Sequence, residues 1–125
     1  MELKIKYYLQ HEETGMIISK IYTLKEIEDG LLKGWLDSLP RWFVIGRCQY
    51  IGIEDKTGEE VYRGNIVTCE MIHKGGSLPH MGEVVYVNEF GSFATRNLGG
   101  ETLLHNHLLN TFRVIGNIYD NPELL

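Results

Sequence analysis

The chain has 125 residues, of which 43% are hydrophobic and 23% charged, with a formal net charge of −5. That is enough material for one ordinary domain with a core of its own, and it is not the composition of a disordered polymer. No apolar run approaches the roughly 18 residues of a membrane helix, and Met1-Glu-Leu-Lys-Ile-Lys alternates where a secretory leader would be unbroken, so a cytoplasmic protein is expected.

Leu3, Ile5, Tyr7 and Leu9 alternate with Lys4, Lys6, Tyr8 and Gln10, a period of two that predicts a half-buried strand with its lysines in solvent. Glu12-Glu-Thr-Gly15 turns the chain, and Met16 to Tyr22 returns as the partner strand. Thr23-Leu-Lys-Glu26 has the pattern of a capping box, with Tyr22 and Ile27 at the staple positions, so a helix starts there and ends at Gly30 or Gly34. Trp35 to Pro40 reads as a loop with at most one helical turn, because Pro40 breaks it. Arg41 to Ile45 resumes as a strand, is interrupted by Gly46, and continues from Arg47 to Ile53.

The stretch from Gln49 to Val67 organises the rest. A polar turn at Asp55-Lys56-Thr57-Gly58, a short strand at Val61-Tyr62, a second turn at Arg63-Gly64-Asn65 and a strand from Ile66 follow one another. Gly58 and Gly64 stand where tight connections demand positive φ. Ile66 to Ile72 is a strand, His73 to His80 reads as a mobile loop, and Met81 to Val87 with Ser92 to Arg96 forms a hairpin around Asn88-Glu-Phe-Gly91. Asn97 to Gly100 is a turn, Thr102 to Leu109 fits strand and helical turn equally, and Thr111 to Ile115 is a strand. Asp120-Asn-Pro122 stops it. Ile118, Tyr119, Leu124 and Leu125 supply apolar area that predicts an ordered tail. The expected architecture is one mainly β domain over residues 1–125. A hairpin, helix and strand over 1–45 lead into a β-rich core over 46–125, built as a small twisted sheet or an SH3-like barrel.

Tyr50-Ile-Gly-Ile-Glu-Asp-Lys-Thr-Gly-Glu-Glu-Val-Tyr-Arg-Gly-Asn-Ile-Val67 and the closing Val114-Ile-Gly-Asn-Ile-Tyr-Asp-Asn-Pro-Glu-Leu-Leu125 resemble the YopX family of phage and prophage proteins. Asn65 stands where that family usually has Asp, a near-isosteric change that keeps the turn and removes a charge. The resemblance implies a small β-rich fold of phage origin and transfers no catalytic residue.

Three sets of residues have the composition of chemical sites. Arg41, Trp42, Arg47 and Tyr50 interleave cations with aromatics, the pattern that stacks single-stranded bases, although aromatics in so small a domain more often build its core. The net charge opposes that reading over much of the chain: residues 1–50 balance seven Lys/Arg against seven Asp/Glu, whereas 51–125 carry five against ten. His105-x-His107 and Cys69-x3-His73, with Cys48 or His80, could compose a zinc site, but their spacing matches no zinc signature. Cys48 and Cys69 are therefore expected to be reduced, metal-free and buried as small hydrophobes. Glu54, Asp55, Glu59 and Glu60 cluster at a turn, where carboxylates are ordinarily solvated and lack the burial that a catalytic role requires. No cofactor is expected. The leading expectation is a non-catalytic binding or assembly protein of a bacterial host cytoplasm, contacting a host or phage protein or a second copy of itself. A single-stranded nucleic-acid-binding module is the alternative, and a metal-dependent hydrolase a more distant one.

Overall fold

The computed structural model describes residues 2–104 and 107–125. The chain divides into two compact units, one ending at Tyr50 and one starting at Ile51. The division falls where the charge changes, so the second unit carries the whole net charge of −5.

In the first unit β1 (Lys4–His11) pairs antiparallel with β2 (Ile17–Thr23) on one side and with β3 (Trp42–Glu54) on the other. The capping box forms as expected: Thr23 Oγ1 accepts from the Glu26 amide at 3.2 Å, and Glu26 Oε1 accepts from the Thr23 amide at 2.8 Å. Gly30, at φ +85°, ends α1 (Leu24–Glu28). A second helix, α2 (Leu31–Asp37), then follows; its first four residues fall within the longer of the two expected helix ends and its last three in the segment expected as loop. Gly34 lies inside it and does not stop it; Ser38 closes it by donating to the Trp35 carbonyl at 2.6 Å. Tyr7 and Leu9 on one face of β1 and Tyr8 on the other are all buried, so its lysine-bearing side is not simply solvated. The Lys4 and Lys6 ammoniums lie 5.4 and 5.3 Å from the ring centres of Tyr50 and Tyr8.

β3 crosses the unit boundary, and its end belongs with β4 (Glu60–Tyr62) to the second unit; the sheet order is β2-β1-β3-β4. The second unit adds β5 (Asn65–His73), β6 (Gly76–Val87), β7 (Ser92–Asn97), β8 (Gly100–Leu103) and β9 (His107–Asn117). They form an antiparallel sheet in the order β8-β7-β6-β5-β9. Both sheets are open among the described residues, so the twisted-sheet expectation holds and closure into a barrel does not.

The segment His73 to His80, expected as a mobile loop, is instead the tip of a β ribbon. β5 runs to His73 and β6 begins at Gly76, with Lys74 and Gly75 as the turn. Pro79 is tolerated because β7 starts pairing with β6 only at Glu83, leaving Pro79 a strand neighbour on one side alone. Thr102 and Leu103, in the ambiguous segment, belong to β8; 105 and 106 lie outside the described residues.

Ile51, Val61, Val67, Cys69, Val84 and Phe112 make the core of this unit. Gly64, at φ +90°, ties it together: its amide donates to the Val84 carbonyl at 2.8 Å, and its carbonyl accepts from the Ile118 amide at 3.0 Å. The tail is fastened by asparagines. Asn117 Oδ1 accepts from the amides of Tyr119 and Asp120, both at 2.9 Å, and Asn121 Oδ1 accepts from the Asn117 amide at 3.2 Å. A Cβ on Gly116 would lie 2.5 Å from Asn121 Oδ1, which accounts for a glycine at that position. Deleting residues 119–125 removes these bonds, and thermal denaturation should register a fall of about 5 °C or more in melting temperature. An unchanged midpoint would show the tail to be dispensable.

Candidate functional site

Arg41, Trp42, Arg47 and Tyr50 all belong to the first unit, but the strand geometry does not gather them on one surface. Opposite residues in an antiparallel pair share a face, and Trp42 faces His11 while Arg47 faces Tyr7. The register slips between Tyr8 and Leu9, which face Gly46 and Val44, so Ile45 is an extra residue in a β-bulge. The bulge puts Trp42 and Arg47 on one face and leaves Tyr50 on the other, under Lys4. Trp42 packs edge-on against His11 at 4.9 Å between ring centres, and Arg41 is ion-paired with Glu13 and lies 4.0 Å from Glu12. Arg47 is exposed.

The other edge of this unit carries a feature that the sequence reading did not single out. Leu24 donates its amide to the Leu3 carbonyl at 3.2 Å, and His11 donates to the Met16 carbonyl at 2.9 Å. Both pairs follow the β1–β2 register, so the even-numbered residues of β2 bond to β1. The backbone groups of Ile17, Ser19 and Ile21 therefore point away from the sheet. Thr23 would be next, but its amide is held by Glu26. Around this edge stand Met16 (59% exposed), Ile21, Leu24 and Leu31 (52% exposed). A groove of about 400 Å³ runs alongside, lined by Lys20, Tyr22, Leu31 and Trp35, with Gly30 and Gly34 leaving it open. Lys20 lies back over the Tyr22 and Trp35 rings, 5.4 and 5.8 Å from their centres, and does not reach out across the edge.

In the second unit Asp55 is buried, contrary to the expectation of solvated turn carboxylates. Its Oδ1 accepts from the Thr57 amide (2.8 Å), the Thr57 hydroxyl (2.7 Å) and the Glu59 amide (3.0 Å), and its Oδ2 accepts from the Val114 amide at 2.9 Å. Burial pushes the carboxyl pKa up, but bonds from Val114, Thr57 and Glu59 together outweigh it and hold the group at about 2. A carboxylate so held is an anchor and takes up no proton near neutrality. The Lys56 amide adds a bond to the Phe112 carbonyl at 2.8 Å, so the turn covers the outer edge of β9.

Cys48 and Cys69 are both free and buried, the latter in the core. Cys69, Lys56, Thr68, Glu70, Asn110 and Thr111 line a wide cleft of about 420 Å³. Burial, and then the Glu70 charge, raise the Cys69 thiol to about 11, so it stays protonated at neutral pH and is a poor nucleophile. His80 lies opposite Cys69 in the strand register, with Nε2 2.7 Å from Thr95 Oγ1, and burial lowers its pKa. Among the described residues no three His, Cys, Asp or Glu side chains gather as metal ligands. His105 lies outside the described residues, as do the side chains of His73 and His107. No helix among the described residues is long and apolar enough to cross a membrane.

The geometry defines a mainly β protein of two compact units whose turn motifs, at Asp55–Asn65 and Gly116–Pro122, serve the fold of the second unit. The chain belongs to the YopX family: the model of that family, described as YopX protein, matches residues 4–125. The match spans the β5–β8 region, where the motifs are least visible. A comparison with curated proteins finds no match.

Proposed function

We propose that the protein is a non-catalytic binding or assembly module, encoded by a phage or prophage and acting in the bacterial host cytoplasm through protein contacts. The observation that carries this reading is the β2 edge of the first unit, where exposed Met16, Ile21, Leu24 and Leu31 surround outward-pointing backbone groups. Strand edges with apolar neighbours are recognised by other proteins through strand addition, in which main-chain bonds give affinity and side-chain pockets give selectivity.

Charge supports the reading as well. The first unit is electrically balanced and the second is acidic, so neither offers a net positive field to phosphates. Arg41 is committed to glutamates, and Trp42 and Tyr50 lie on opposite faces of β3. Titration of labelled single-stranded oligonucleotides at low salt should therefore give no saturable binding. Saturable binding that weakens steeply with salt and is lost in Arg47→Ala would instead establish the nucleic-acid-binding alternative.

A further inference from the structure

We infer that the β2 edge is a self-pairing site, at which two copies of this chain join antiparallel about a two-fold axis through Ser19. The inference rests on the protein-contact reading above and names the partner as a second copy.

The backbone selects this register. Ile17, Ser19 and Ile21 are the residues whose N–H and C=O groups point outward, and an antiparallel partner must meet them with outward groups of its own. With the axis at Ser19, Ile17 meets Ile21 of the second copy, Ser19 meets Ser19, and Ile21 meets Ile17, so every outward donor and acceptor on both copies finds a partner. Moving the axis to Lys20 brings Ile17 against Thr23, whose amide is already held by Glu26 at 2.8 Å. Moving it to Ile18 brings Ile21 against Gly15, whose amide is held by His11 and whose carbonyl is held by Gln10. Only the Ser19 axis uses all of the outward groups.

Charge and side-chain chemistry agree with that register. Lys20 is the one charged residue of β2. An axis at Lys20 would set the two ammoniums directly opposite, which is unfavourable. The Ser19 axis sets each Lys20 opposite Ile18 of the other copy, on the face that carries the groove beside Tyr22 and Trp35. On the other face Ile17 and Ile21 form reciprocal cross-strand pairs, and Ile21 is an exposed side chain in the single chain. Met16 falls opposite Tyr22 in the same register. The contact is isologous and closes at two copies, as a two-fold interface must.

Sedimentation velocity on the purified full chain over a range of concentrations, combined with two variants, tests the inference. Wild type should sediment as a dimer that dissociates on dilution, and Ile21→Glu as a monomer with an unchanged circular dichroism spectrum. In the Ser19 register the two Ser19 Cα atoms would lie about 5.5 Å apart, within disulfide range. Ser19→Cys should therefore yield a covalent dimer on mild oxidation, whereas Lys20→Cys should not. A chain that stays monomeric at every concentration overturns the inference, as does a dimer that survives Ile21→Glu and is not cross-linked through Ser19→Cys. A monomer that still binds a different protein would overturn self-pairing while leaving the protein-contact reading in place.

Discussion

Replacing Asp55 by alanine is expected to lower the folding stability by about 3 kcal/mol, because it removes the carboxylate that accepts several part-buried hydrogen bonds, and bonds to a charged group contribute roughly 1.5–3 kcal/mol each. The amides of Thr57, Glu59 and Val114 all end on this one carboxylate, and Val114 is a distant part of the chain. Asp55→Asn should also destabilise, since an amide nitrogen turned toward Val114 would oppose a donor with a donor, while turning it the other way opposes Thr57 and Glu59. The same anchor predicts an acid-sensitive window. The folded carboxyl sits at about 2, below its ordinary 3.8, so its contribution is fully present above about pH 4 and is lost as pH falls through about 2. Urea denaturation between pH 5 and pH 2 should show wild-type stability falling more steeply than that of Asp55→Ala. Parallel curves for the two proteins would mean that the carboxylate is not held as described.

Phe112→Ala is expected to cost more, about 4 kcal/mol, in line with removal of a fully buried aromatic ring and the cavity it leaves. Phe112 is completely buried among Ile51, Val61, Val67, Cys69 and Val84, a core with few aromatic rings to collapse inward. Phe43→Ala is the internal comparison: Phe43 is 49% exposed and should lose no more than about 1 kcal/mol. Chemical denaturation followed by circular dichroism measures both. Equal losses at the two positions would contradict the placement of the core.

Much of this fold is legible in the sequence where the signal is local. The capping box at Thr23 and Glu26 needs four consecutive residues, and Gly58 and Gly64 adopt positive φ in the turns that their neighbours define. The Asn88–Gly91 hairpin is likewise written in adjacent residues. What escapes is decided by distant partners. Asp55 looks like one turn carboxylate among four, and its burial depends on Val114, 59 positions further along. The ribbon over 73–80 looks like a loop because glycines and Pro79 read as breakers, yet a strand with a neighbour on one side alone tolerates them. The α2 helix is obscured by Gly34, which costs helix propensity that packing of Trp35 against Tyr22, with ring centres 5.8 Å apart, can repay. The candidate site is the hardest case. Strict alternation along β3 would put Trp42 and Tyr50 on one face, and the single extra residue at Ile45 parts the two aromatics. The β2 edge has no motif at all: it emerges only from which backbone groups β1 leaves unused.

The central claim, that this protein works through protein contact at the β2 edge, is tested most directly by affinity capture from a lysogenic host lysate, run with and without nuclease. Wild type, Ile21→Glu and Arg47→Ala would be compared as baits. The predicted result is nuclease-resistant recovery of one defined protein, either the chain itself or another, by wild type and by Arg47→Ala, with recovery lost in Ile21→Glu. Recovery that disappears with nuclease, or that depends on Arg47 and is indifferent to Ile21, would contradict it.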